Sequence, residues 1–446
     1  MAEFLPLLGG RIIFAARRNP SRLDAISLSV IPLQSSERLC PLEVVIGWMP
    51  SMFRRDFCFT GSSILASALV SVVAQRTFAA EDEITPESQK ALDLGLEWLA
   101  KNQGTSGNWE SNDLGLVSMG ALAFMAAGHF PGRGKYGKEC EKAVAYMLDR
   151  SKDSGLLNIS DPRNDMYNHG LATFVLGQAH GMVYKQRRDI RRVLDSALKL
   201  IAQTQCDDGG WDYIAKRQQH GHDLSLAVMQ AKALRSAVDS GLEVPKEVID
   251  AAITSVRQHY SPEGDQNAPE SEQMKRPGQF TYSRGGGGKT VAMAAAGVVC
   301  LQEFGQYDDW RIEKSMEFVV KHIRELPVHQ RGDGLMPFDA YTLYYVGQAL
   351  YQVGEKHWQE NYPKLRDFLV ISQRKDPKDQ RTFGSWLDNG VGAGGNGAGG
   401  KVGGKPGELY GTAVACFILA IPNRYLPILQ EGRIESFGKS KTSSTN

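Results

Sequence analysis

Six short clusters of polar and aromatic residues stand just before helix-like apolar runs. They are Asp113, Tyr167-Asn168-His169, His222-Asp223, Lys289-Thr290, Asp339-Ala340-Tyr341 and Glu408-Leu409-Tyr410. Their residue types suit proton transfer. Asp223 and Asp339 are candidate acids, and His169 and His222 are candidate assisting groups. Tyr167, Tyr282, Tyr341 and Tyr410 offer rings and hydroxyls to line a binding cavity. The carboxylates and amides also have a plainer reading. Asp, Asn and Thr are preferred N-caps, contributing about 1 kcal/mol each, and Asp113, Asn168, Asp223, Thr290 and Asp339 all fit that role. A capping Asp has its anion stabilised and is a weaker acid. Histidine is a poor cap, so for His169 and His222 the alternative is a buried, hydrogen-bonded imidazole.

The elements that must position these residues come in six pairs. The first helix of each pair is expected near Ser88–Lys101, Lys138–Arg150, Ile190–Ala202, Pro245–His259, Trp310–Leu326 and Tyr362–Gln373. The second is expected near Leu114–Ala127, Tyr167–Met182, Leu224–Ser240, Val291–Phe304, Ala340–Val353 and Tyr410–Ala420. First helices carry Lys, Arg and Glu on one face. Second helices are rich in Ala, Gly, Ser and Leu with almost no charge, as in the run Val291–Cys300. A helix apolar all round is buried on all sides. Each unit is therefore an outer amphipathic helix and an inner buried one. The apolar final helix argues for closure onto the first pair, since an open array needs polar end caps. The expected fold is all-α, an (α/α)6 toroid, with no strand-period segment. The N-terminal ends of the inner helices, and the positive ends of their dipoles, would ring one mouth of a central cavity.

Between paired helices a unit recurs, Gln followed by Gly-x-Trp: Gln103 with Gly107-Asn108-Trp109, Gln205 with Gly209-Gly210-Trp211, Gln373 with Gly384-Ser385-Trp386. Gly278-Gln279-Phe280, Gly334-Leu335-Met336 and Gly155-Leu156-Leu157 are decayed versions. Gly permits a tight turn, Trp fills an inter-helix gap, and Gln has donor and acceptor to hold loop backbone. Gln103, Trp109, Gln205, Trp211, Gln373 and Trp386 are thus expected to staple helices rather than do chemistry.

This unit resembles the repeat of the terpenoid cyclase and protein prenyltransferase superfamily, with squalene–hopene cyclase-like proteins as the nearest named group. The resemblance covers about residues 88–430. It implies an enzyme or binding protein for a polyisoprenoid or related lipid, with cationic intermediates stabilised by aromatic rings. The chain departs from the family at the chemistry. The Asp-x-Asp-Asp acid tetrad is absent: Asp207-Asp208 sits in a loop and Asp308-Asp309 opens an outer helix. The zinc ligands of the prenyltransferases and the Cys-Gly-Glu-Gln thioester are absent too. Three functions stay open: a cyclase-type isomerase, a non-catalytic binding or scaffold protein, and a saccharide-active enzyme, because α/α barrels also host paired-carboxylate chemistry.

Composition narrows the partners. A net charge of +1 over 446 residues gives no basis for nucleic acid. Cys140, Cys206, Cys300 and Cys416 are widely spaced with no Cys-x-x-Cys, so no metal site and no cofactor is expected. Residues 1–51 are expected to be a non-native, disordered upstream extension. Residues 52–80 have the arrangement of an export signal: Arg54-Arg55 in a twin-arginine-like context, a short apolar run, and Thr77-Phe78-Ala79 as a small-residue cleavage site. The expected location is periplasmic or otherwise extracytoplasmic. The toroid is assigned to residues 81–430 and a disordered tail to 431–446. The stretch from Asn389 to Gly407 is a glycine-rich insertion, and the Ser283–Thr290 glycine tract lacks the spacing of a phosphate loop. Membrane contact and oligomeric state are not set by the sequence.

Overall fold

The computed structural model describes residues 11–19, 22–29, 83–183, 185–327, 339–388 and 407–430. The chain divides into two units, Met1–Ala66 and Ser67–Asn446. In the first, β1 (Arg11–Asn19) and β2 (Arg22–Ser29) form an antiparallel hairpin with Arg11 opposite Ser29. The sequence reading finds no strand-period segment here, but β-branched and aromatic residues such as Ile12, Ile13 and Phe14 suit a strand. The expected export signal, the glycine-rich stretch up to 406 and the expected tail from 431 lie outside the described residues.

The second unit is an all-α (α/α)6 toroid. Its helix pairs are α1 (Pro86–Asn102) with α2 (Leu114–Ala126), α3 (Gly137–Asp149) with α4 (Asp165–His180), and α5 (Arg187–Thr204) with α6 (Leu224–Asp239). In the fourth pair α7 (Lys246–Arg257) is separated by the one-turn α8 (Glu270–Gln273) from α9 (Val291–Glu303). Then follow α10 (Arg311–Glu325) with α11 (Ala340–Val353), and α12 (Glu355–Ser372) with α13 (Glu408–Ala420). The loop around α8 is pinned by a short hairpin, β3 (Tyr260–Pro262) against β4 (Gly278–Phe280).

Burial separates the two layers. Every residue of α2 and α4 is buried, whereas α5 buries Ile190, Val193, Leu194, Ala197, Leu198, Ile201 and Thr204, one stripe at helical spacing. The inner helices pack in the order α2, α4, α6, α9, α11, α13 and back to α2, and α12 packs on α1 in the outer layer. That ring is closed, with α4 opposite α11 and α6 opposite α13.

One boundary departs clearly from the sequence reading. α12 starts at Glu355, not near Tyr362, because Gly354 (φ 101°) ends α11 and turns directly into it. Pro363 lies inside α12 and removes one ladder hydrogen bond. Next to it Trp358 and Tyr362 stack at 4.0 Å and are buried.

The rim at the C-terminal ends of the inner helices is met by the segment that follows α13. Ile428 N–H donates to Gln178 Oε1 of α4 (3.1 Å), Tyr351 Oη of α11 donates to the Leu429 carbonyl (2.9 Å), and Arg424 pairs with Glu83. The opposite rim, at the inner-helix N-termini, carries the polar clusters.

Candidate active site

The site starts from Asp223, the N-cap of α6. Its Oδ1 accepts from Ser225 N–H at 2.9 Å and from the Ser225 hydroxyl, while Oδ2 faces His222 Nδ1 at 2.9 Å. The hydroxyls of Tyr213 and Tyr282 also reach this carboxylate and meet each other at 2.6 Å. Asp223 is 3% exposed. Burial alone would raise its pKa, but hydrogen bonds from His222, Ser225, Tyr282 and Tyr213 outweigh that and hold it below the usual carboxylate value. The same bond to Asp223 raises His222 above the ordinary imidazole value, against its partial burial. His222 keeps about half of its side-chain surface open (52%), so a solvent-facing imidazole is held by a buried anion. Burial, and then the charge of Asp223, push the Tyr213 and Tyr282 phenols far up. Both stay neutral, with their O–H groups committed to Asp223 and to each other.

Aromatic packing sets the rings. Tyr213 stacks on Tyr167 with centroids 6.2 Å apart and meets His222 edge-on at 4.7 Å. From Tyr167, on α4, the hydroxyl reaches Tyr341 Oη of the opposite helix α11 at 3.1 Å. The contact spans the bore and makes a floor to the mouth. Tyr345 meets Tyr341 edge-on at 5.1 Å, and Tyr410 of α13 is buried beside them. Burial, then Asp223, push Tyr167 to about 12. Burial raises Tyr341, Tyr345 and Tyr410 as well. Deeper in the bore, Lys232 of α6 is fully buried. Its Nζ lies 3.2 Å from Glu303 Oε1 of α9, meets Gln348 Oε1 of α11, and sits 5.1 Å from the Phe174 ring centroid. Desolvation lowers the Lys232 pKa, against its attraction to Glu303.

Of the residues singled out in the sequence, Asp223, His222, Tyr282, Tyr167 and Tyr341 converge, and Tyr410 packs beside them. Asp339 stands elsewhere on the rim. It caps α11 through Thr342 N–H at 3.1 Å, and burial raises its pKa against the capping bonds. Asp113 and Thr290 cap α2 and α9. His169 is in the wall and not at the mouth. Its Nδ1 accepts from Leu157 N–H at 3.1 Å, which leaves the proton on Nε2 to donate to the Ala197 carbonyl at 3.1 Å. With both nitrogens used and the ring fully buried, it is held neutral, at about 4, by desolvation. Sequence reasoning misses Tyr213, Tyr345, and the Lys232–Glu303 pair. Tyr213 lies two residues past Trp211 in an irregular loop, and that proximity is the one signal that could have found it.

The recurring unit has the same geometry three times. Gln103 Nε2 donates to the Gly107 and Glu139 carbonyls, Gln205 Nε2 to Gly209 and Val248, and Gln373 Nε2 to Gly384 and Ala91. Each Gln thus ties its own loop to the next outer helix, and the last one ties α12 back to α1. Trp109, Trp211 and Trp386 Nε1 donate to the carbonyls of Leu99, Ile201 and Leu369, four residues before each Gln, in the last turn of the outer helix. In the second pair Gly155 takes the turn (φ 87°) and His169 takes the bridging position of Gln.

Among the described residues no group of three or more His, Cys, Asp or Glu is placed to hold a metal. Cys140, Cys206, Cys300 and Cys416 are buried free thiols.

No family model matches the chain, and no curated protein is similar to it. Similar solved structures include three forms of an α-1,6-mannanase from Salegentibacter sp. HEL1_6. One is the enzyme itself: 10% identity, 75% of this chain and 98% of that chain, TM-score 0.47. Another is an inactive variant with two aspartates replaced, in complex with α-1,6-mannotriose: 12% identity, 77% of this chain and 100% of that chain, TM-score 0.46. The third is an inactive variant with α-1,6-mannotetrose: 11% identity, 78% and 100%, TM-score 0.47. None is a terpenoid cyclase or a prenyltransferase, so the family suggested by the repeat is corrected. The isoprenoid or lipid partner and the isomerase activity fall with it, and the scaffold alternative on that toroid gains no support. The mouth itself gives a physical reason: it presents hydroxyls, an imidazole and a buried anion, not an apolar pocket with an unusually strong acid. Asp223 is held as the anion and is unsuited to protonating an alkene.

Proposed function

We propose that the chain is an acid–base enzyme acting on a saccharide or a similarly hydroxyl-rich substrate at the inner-helix mouth. The observation that carries this is the pairing of half-exposed His222 with buried, anionic Asp223 between the hydroxyls of Tyr213 and Tyr282. Asp223 holds the Nδ1–H tautomer, so Nε2 is the atom that moves a proton. The neutral phenols hold the Asp223 anion, and their partly exposed rings offer faces on which a sugar can lie. The Tyr167–Tyr341 floor keeps substrate in the mouth, so the cleft suits a chain segment lying across the rim.

The test is turnover on a panel of neutral and acidic polysaccharides that includes α-1,6-mannan. Products are followed as new reducing ends and as unsaturated sugars, in the wild type and in His222→Gln and Asp223→Asn. Turnover lost in both variants supports the reading. No turnover on any polymer, or turnover indifferent to His222, overturns it. Export belongs to the same proposal, since the signal-like segment at 52–80 would bring the enzyme to extracellular polysaccharides. N-terminal sequencing of protein from an exporting host should start at Ala80; a start at Met1 or Met52 counts against it.

A further inference from the structure

The far rim carries a feature that the mouth chemistry does not use. α5 opens with Arg187-Arg188-Asp189-Ile190-Arg191-Arg192, and all four arginines are exposed. Helical spacing sets Arg187 beside Arg191 and Arg188 beside Arg192, so like charges are neighbours and repel. Other outer helices place an acid one turn away, as Glu97 does for Lys101 on α1 and Asp250 for Lys246 on α7. On α5 Asp195 pairs with Arg191 at 2.9 Å, and no ion pair holds Arg187, Arg188 or Arg192 among the described residues.

These arginines form an open cleft of about 570 Å³ with His180, Asp195 and Ser196. His180 is the second observation. It sits in the last turn of α4, is 4% exposed, lines the cleft, and its buried Nδ1 has no hydrogen-bond partner. Burial, then the charges of Arg187 and Arg191, lower its pKa, so the ring is an uncharged wall beside uncompensated cations. From Tyr167 at the mouth to His180 the inner helix rises about 20 Å, so this cleft is separate from the candidate active site.

We propose that the cleft binds a tetrahedral oxyanion of the phosphate or sulfate class, with Arg188 and Arg192 as its charge partners and His180 as its inner wall. Guanidinium groups match such oxygens in pairs, and a bound anion removes the repulsion along α5. The same chemistry is met by a free ion or by a phosphate ester on a sugar, and the experiment separates them.

The full chain is titrated by calorimetry at constant ionic strength with inorganic phosphate, inorganic sulfate and mannose 6-phosphate. Single-site, saturable binding is expected, with the affinity falling about tenfold or more in the Arg188→Gln/Arg192→Gln variant. Both side chains are exposed, and an unchanged melting temperature without ligand shows that the variant folds. His180→Asn should weaken binding too. Tighter binding of inorganic phosphate assigns the cleft to a free ion; tighter binding of the sugar phosphate assigns it to a substituent on a saccharide. Binding that does not saturate, or that is equal in wild type and the arginine variant, overturns the proposal. Activity at the mouth does not enter this readout, so the two proposals fail separately.

Discussion

The Gly-x-Trp loops and the mouth both lie where an outer helix hands over to an inner one, and they are built on opposite rules. The loops repeat. Gln, Gly and Trp make matching bonds in the first, third and sixth units, and the glycines Gly107, Gly209 and Gly384 all have positive φ with a neighbouring outer helix against them. The mouth does not repeat. Asp223, Tyr167, Tyr341 and Tyr410 occupy related places on four inner helices, yet each has different partners. Repetition marks what closes a ring, because each joint faces the same mechanical need. Singularity marks what acts on one substrate. His169 belongs to the first rule although its residue type suggests the second.

That contrast can be broken in several ways. The largest effect is expected in activity. On the proposed reading, Asp223→Asn lowers turnover by about 10²–10⁴-fold with little change in melting temperature, since Asn is also a good N-cap. A collapse of stability in place of activity would put Asp223 with the staples. Next, Trp211→Ala should destabilise by about 3–5 kcal/mol in denaturant titrations, as truncation of a fully buried Trp does. A small effect there would show that the ring closes without the staple.

A pH experiment sharpens the place of His169. Its pKa is about 4 in the folded chain, against an ordinary value of 6.5, so the unfolded chain binds the extra proton first. Stability is therefore complete above about pH 6.5 and declines as pH falls toward 4, by up to about 3 kcal/mol. His259, also held at about 4 by burial, adds to the same decline. His222 works the other way: its raised pKa gives stability that is present at acid pH and lost as pH rises through the folded value. His169→Gln should flatten the acid limb seen by circular dichroism, because Gln has no proton to take up. An unchanged limb would place its cause elsewhere.

Smaller again is Gln205→Ala, expected to cost about 1–3 kcal/mol by leaving the buried Gly209 and Val248 carbonyls short of a donor. Gln103→Ala and Gln373→Ala should agree with it within about 0.5 kcal/mol if the three joints are equivalent. Unequal costs would show that similar geometry hides different energetics.

Much of the scaffold was legible in the sequence for a local reason. Helical periodicity, an uncharged inner helix and a capping Asp or Thr are each recorded within a few neighbouring residues. The six pairs stand where the patterns put them, apart from the early start of α12. Most of the mouth was legible for the same reason, because Asp223, Tyr167, Tyr341 and Tyr410 sit at helix starts and His222 stands next to Asp223. The family was misread because a shared packing solution, Gln with Gly-x-Trp, says how helices are joined and nothing about what the cavity holds.

The sequence by itself determined the alternation of outer and inner helices, the joints between them, and the residues that begin each inner helix. Only the tertiary structure decided that Tyr213 of a loop meets Tyr282, that Tyr167 and Tyr341 touch across the bore, and that Lys232 finds Glu303 and Gln348. Those partners are 69, 174, 71 and 116 residues apart in the chain. No local pattern records such distances. The closure of the ring brings them together, and their charge states follow from the burial that closure imposes.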